Sequence, residues 1–138
     1  MALDDSQNMS FRRSKITNER ITEKGSGYIL NFLVGKTIHT YSNEDRVACF
    51  TGSEESILSI NSLSAYIDFE GSQSDDLRSV VGSTVGSAIA LKDGSLDIRF
   101  VSGHRLFIPF DVYEAWDIKS NESIRIVSVA GGNVAIWL

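Results

Sequence analysis

The chain has 138 residues, a net charge of −5 and 42% hydrophobic residues, which suits one domain around one buried core and excludes disordered and collagenous chains. One cysteine, Cys49, excludes an internal disulfide. The acidic balance opposes nucleic-acid binding, which needs a basic surface to displace counterions from phosphates, and the only basic cluster is Arg12, Arg13 and Lys15.

Residues 1–27 read as a polar N-terminal arm, with Ile16 and Ile21 set among charges and Gly25-Ser26-Gly27 as a flexible joint. The first residues carry no apolar signal-peptide core. No apolar run reaches the roughly 18 residues of a membrane helix. Together with the lone cysteine, these features predict a cytoplasmic protein with no membrane partner.

From residue 28 to 138 the chain reads as a single β-rich domain. Val47, Cys49 and Thr51 alternate with Ala48 and Phe50, between the turn formers 42–45 and Gly52-Ser53. Strands follow at 57–60 and 65–69. Asp75 and Asp76 open a short predicted helix over 75–81, with Ser74 as its cap and Gly82 as its stop. The run 88–91 enters Lys92-Asp93-Gly94-Ser95, where Asp-Gly predicts a type I′ hairpin. Leu96-Asp97-Ile98-Arg99-Phe100-Val101 then alternates strictly, and strands follow at 106–108, 124–127 and 134–137.

The chain also echoes itself. Val34-Gly35-Lys36-Thr37-Ile38 matches Val81-Gly82-Ser83-Thr84-Val85. Each copy leads to a turn, a strand carrying Phe, a Gly turn and a short apolar strand. Neither unit can bury its apolar face alone. The expectation is a mainly β fold: two pseudo-repeated β-meander units packed as a sandwich or partly open barrel, with one short helix.

No chemical motif emerges. There is no G-x-S-x-G, P-loop or G-x-G-x-x-G. His39, His104 and Cys49 share no metal-ligand spacing, so neither metal nor cofactor is expected. His39 reads as half-buried on a strand and His104 as a surface residue at a turn. Cys49 lies in an apolar strand with no cation to lower its pKa, and reads as inert core. The paired carboxylates sit in turn-like segments, unlike two acids facing each other across a cleft. Catalytic residues are therefore none. If several acidic loops share one end of a sheet, they steer a basic protein partner. The partner-binding candidates are Glu44 and Asp45, Glu54 and Glu55, and Asp75 and Asp76.

Tyr113-Glu114-Ala115-Trp116 is followed by a closing Gly131-Gly132-Asn133-Val134-Ala135-Ile136-Trp137. With 34–38 and Asp93-Gly94, this order resembles an uncharacterised family of small bacterial β-rich domains over residues 33–137. The resemblance implies a domain of unknown function with possible toxin-immunity members, and supplies no catalytic residue. On physical grounds Tyr113 and Trp116 are expected to stack on the sheet, and Trp137 to pin the last strand into the core.

The expected function is non-catalytic protein binding, as an immunity protein that neutralises a bacterial toxin by direct contact. The partner would then be a basic toxin domain. The alternative is a small homo-oligomeric binding or assembly module, a homodimer through an exposed sheet edge. An enzyme would instead need a deep pocket with convergent polar groups.

Overall fold

The computed structural model describes residues 20–121 and 123–138; Arg12, Arg13, Lys15 and Ile16 lie outside the described residues. Among the described residues thirteen strands run β1 (Ile21–Lys24), β2 (Gly27–Leu30), β3 (Ile38–Glu44), β4 (Val47–Gly52), β5 (Ser56–Ile60), β6 (Tyr66–Phe69), β7 (Ser72–Ser74), β8 (Val85–Leu91), β9 (Leu96–Phe100), β10 (Arg105–Ile108), β11 (Trp116–Lys119), β12 (Arg125–Ser128) and β13 (Val134–Trp137). They form a seven-stranded sheet, β1-β2-β8-β9-β10-β6-β7, and a six-stranded sheet, β13-β12-β11-β5-β4-β3. Neighbouring strands pair antiparallel throughout.

The alternation explains the sandwich. In β9 Leu96, Ile98 and Phe100 are buried while Asp97 and Arg99 turn outward. In β4 Ala48 and Phe50 face the core and Cys49 takes the other face, half-buried. Cys49 is therefore not the core residue its apolar neighbours suggested. Trp116, on β11, is the largest fully buried side chain. Period-two burial of this kind turns two sheets face to face over one core.

The two expected units are present and related by an approximate two-fold axis. Thr37 and Thr84, 47 residues apart, pair across it, with their hydroxyls 3.1 Å apart. Gly35 N–H donates to Val85 O at 2.9 Å, and Gly82 N–H donates to Ile38 O at 2.8 Å. Val85 N–H donates to Lys36 O at 2.8 Å, and Ile38 N–H donates to Ser83 O at 2.9 Å. Each bond maps on its mate by the same offset. So do the bulges, at Ile38/Thr40 in the β3–β4 ladder and Val85/Ser87 in the β8–β9 ladder. The units then exchange strands. β6 follows β5 but pairs with β10, and β11 follows β10 but pairs with β5.

Four local expectations are corrected. Part of the span expected as a polar arm, 1–27, belongs to the sheet: 21–24 is a strand and Ile21 is fully buried. Gly25-Ser26 is the β1–β2 hairpin turn, with Gly25 at φ 59°, not a joint. The helix over 75–81 is a single 3-10 turn, Leu77–Val80, and Asp76, not Ser74, accepts the capping bond from Arg78 N–H. One such turn already brings Leu77 and Val80 to the same buried side, and Val81 is extended. The Asp93-Gly94 turn is not type I′. Among its central residues only Gly94 has positive φ, 101°, and Gly94 N–H donates to Leu91 O at 2.9 Å. That is a type I turn closed by a left-handed glycine, the usual three-residue hairpin loop.

Candidate functional site

The six predicted acidic residues fall at three separate places. Glu44 ends β3, and Asp45 opens the two-residue turn into β4; Asp45 and Arg46 have φ of 51° and 66°, the type I′ geometry. Glu54 and Glu55 lie in a 3-10 turn at the other end of β4. A six-residue strand separates the two pairs by roughly 20 Å, so they do not share one end of the sheet. Glu54 is held by Lys36, with Nζ to Oε1 at 3.3 Å. Asp75 follows β7 and is exposed. Asp76 is bound to Arg78 through Nε at 3.0 Å and Nη2 at 3.3 Å. These side-chain bonds from Arg78, with its backbone N–H, hold the Asp76 carboxyl below its ordinary value.

A different surface is built as one piece. Four loops converge at residues 61–64, 92–95, 109–115 and 129–133. Trp116 Nε1 donates to Gly94 O at 2.9 Å, tying the 92–95 turn to the buried indole. Phe110 N–H donates to Ser95 Oγ at 3.2 Å, and Gly131 N–H donates to Asp111 O at 2.9 Å. Asn61 and Ser62 N–H both donate to Ala115 O, and Asn61 Nδ2 donates to Glu114 O at 3.2 Å. The buried Ser128 hydroxyl accepts from Ala115 N–H at 2.6 Å and from Trp116 N–H at 3.1 Å. At Gly132 a Cβ would meet Asp93 O at 3.0 Å, so the 92–95 and 129–133 loops touch backbone to backbone.

This fixed scaffold exposes apolar side chains. Leu63 is 77% exposed, Phe110 51%, Val112 69% and Tyr113 72%. A cleft of about 390 Å³ opens beside Tyr113, lined also by Asn61, Ser62, Asp111, Glu114 and Ala130. Tyr113, expected to stack on the sheet, instead stands in solvent. Trp137, expected in the core, is 53% exposed and lies beside the Arg125 guanidinium, 5.6 Å from its ring centre. Pro109 breaks the strand pattern just before Phe110, so these residues follow no period and sequence reasoning passed over them. The available signal was Val112-Tyr113 as adjacent large apolar residues inside a loop.

Among the described residues no group of three His, Cys, Asp or Glu side chains could hold a metal ion. His104 stacks on Phe69 at 4.0 Å and contacts Ser102 Oγ at 2.8 Å, while His39 is exposed on β3 rather than half-buried. The Lys36 amine is buried and donates to Ser56 Oγ at 3.2 Å. The apolar cavity beside it, between Phe50, Leu58, Ile98 and Ile118, holds about 40 Å³, far below the several hundred Å³ of a metabolite pocket. The loop end holds the larger opening, about 390 Å³, with the Asp111 and Glu114 carboxylates in its lining beside Tyr113. No helix among the described residues is long and apolar enough to cross a membrane.

The model of a family of unknown function, DUF6188, matches residues 61–138, more than half of the chain. The matched span takes in Asp93-Gly94, Tyr113-Glu114-Ala115-Trp116 and the closing 131–137 segment, and leaves out 34–38. It contains all four loops of the exposed apolar end. No curated protein and no solved structure matches the chain.

Proposed function

We propose that this chain, which belongs to the DUF6188 family, is a non-catalytic protein-binding protein whose partner docks on the loop end of the sandwich. One observation carries the reading: Leu63, Phe110, Val112 and Tyr113 are large apolar side chains exposed on loops that hydrogen bonds tie to one another. Large apolar side chains exposed on neighbouring loops are a mark of protein interaction sites, and an aromatic anchor such as Tyr113 is the residue type that dominates binding energy there.

The partner class is a toxin neutralised by direct binding, as an immunity protein acts. The chain's net charge of −5 supports it, because an acidic inhibitor gains association rate toward a basic toxin. Asp111 and Glu114 line the same cleft and add to that field at the contact. The acidic pairs first singled out by sequence contribute only at long range.

The test is a pull-down from the native host with two baits, the natural chain and the double variant Val112→Arg, Tyr113→Ala. Both substitutions fall on exposed side chains, so the fold is expected to survive. A stoichiometric partner is expected on the first bait and absent from the second, and its toxicity on expression is expected to be relieved only by the natural chain. Equal capture by both baits removes the loop end from the interface. A captured partner that is harmless on expression removes the immunity reading and leaves the docking site standing.

A further inference from the structure

We infer that the free edge of β3 binds a second copy of this chain, joining two six-stranded sheets into one through an antiparallel β3–β3 ladder. The pseudo-two-fold axis gives the β3 edge an equivalent that does receive a strand. β8 is the mate of β3, and its equivalent edge is covered: β2 pairs with it at Gly27↔Leu91, Tyr28↔Ala90 and Ile29↔Ile89. The same 47-residue offset carries Leu91, Ala90 and Ile89 of β8 onto Glu44, Asn43 and Ser42 of β3. On β3 that position is empty among the described residues, since β3 pairs with β4 alone. The segment that should fill it by symmetry is 74–77. It carries Asp75 and Asp76 and leaves the sheet for the 3-10 turn that Asp76 caps.

Among the described residues the edge also lacks the usual guards. Natural sheets blunt their edges with short strands, lysines or prolines. The other three edge strands follow that rule, β1 with four residues, β7 with three and β13 with four. β3 has seven residues, with neither Lys, Arg nor Pro, and its one carboxylate, Glu44, sits at the end. Glu44 and Val47 flank a two-residue turn and form a hydrogen-bonded pair, so by the alternation of an antiparallel ladder Tyr41 and Asn43 point their N–H and C=O groups to the open side.

Those two residues suit self-pairing. A two-fold axis through Ser42 sets Tyr41 opposite Asn43 of the second copy and Asn43 opposite Tyr41, closing four backbone hydrogen bonds. Glu44 then faces Thr40, and no like charges meet. An edge pairing with its own copy is isologous and closes at two chains, which a strand from an unrelated protein would have no reason to do. This surface is distinct from the loop end, which is built at residues 61–64, 92–95, 109–115 and 129–133.

Sedimentation of the full chain across a wide concentration range tests the inference, together with amide exchange at Tyr41 and Asn43. A monomer–dimer equilibrium is expected, with exchange at those two amides at least about tenfold slower in the dimer. Asn43→Pro removes an edge donor where proline is tolerated, and is expected to stay monomeric with an unchanged circular dichroism spectrum. Asn43→Lys, a natural edge guard, is expected to do the same should the proline variant fail to fold. A chain monomeric throughout, a dimer that persists in a folded Asn43 variant, or a dimer whose Tyr41 and Asn43 amides exchange freely overturns it.

Discussion

The two tryptophans show how far residue type alone predicts a role. Both stand at the apolar phase of a strand pattern, yet Trp116 is fully buried and Trp137 is 53% exposed. The difference lies in strand position. β11 is flanked by β5 and β12, whereas β13 is an edge, and position within a sheet is a tertiary property that a period does not encode. Trp116 also has a polar task, donating its indole N–H to Gly94 O at 2.9 Å. Trp116→Phe leaves that buried carbonyl without its donor and removes part of a packed ring, so unfolding by denaturant is expected to register a loss of about 2 kcal/mol. Trp137→Phe is expected to stay within about 0.5 kcal/mol, as exposed substitutions do. Equal losses at the two sites would contradict the burial assigned to them. The same blindness hid the loop end: Phe110, Val112 and Tyr113 have no partner strand to set their period, so an apolar side chain there carries no sign of whether it faces in or out.

At the scale of elements, alternation made most strands legible, because each buries one face against the opposite sheet. β4, β9 and β10 fall where the pattern puts them. β1 was lost in a run of charged residues, since only Ile21 of its four residues is fully buried. The turns were legible in place but not in kind. The sequence signal for type I′ lay at Asp93-Gly94, whereas that geometry occurs at Asp45-Arg46, where both residues have positive φ, and at Glu70-Gly71, with φ of 53° and 83°. The β3–β4 hairpin thus holds an arginine in a conformation that costs a non-glycine residue roughly 1–2 kcal/mol. Arg46→Gly relieves that cost, offset by the roughly 0.5–1 kcal/mol that glycine loses in backbone entropy on folding. The net expectation is a gain of up to about 1 kcal/mol, read as a higher midpoint of thermal unfolding. A lower midpoint would show that the arginine side chain makes a contact worth more than the strain.

For the whole molecule, the internal repeat was the most informative sequence feature, yet it concealed the exchange of strands between the units. A repeat suggests two halves that fold separately and then dock. The connectivity forbids this. β11 completes the sheet of the first unit by pairing with β5, setting Trp116 opposite Ile60 and Ile118 opposite Leu58. β2, from the first unit, covers β8 of the second. Residues 61–138, the span matched by the family model, therefore hold eight of the thirteen strands but neither sheet entire. Cut at residue 60, that fragment keeps Trp116 and Ile118 on a strand with no partner on one side, and β8 loses its outer neighbour. Exposing a core strand of this kind removes apolar burial on both faces of the sandwich, and marginal stability does not survive such a loss. The fragment 61–138 alone is expected to lack the near-ultraviolet circular dichroism of a fixed tryptophan and to unfold without a cooperative transition. Adding the fragment 1–60 is expected to restore both, because β5 and β2 return to vacant places whose register is already specified by Trp116↔Ile60 and Tyr28↔Ala90. A fragment 61–138 that folds cooperatively on its own would mean that the β5–β11 and β2–β8 ladders are dispensable, and that the strand exchange decorates the fold without holding it.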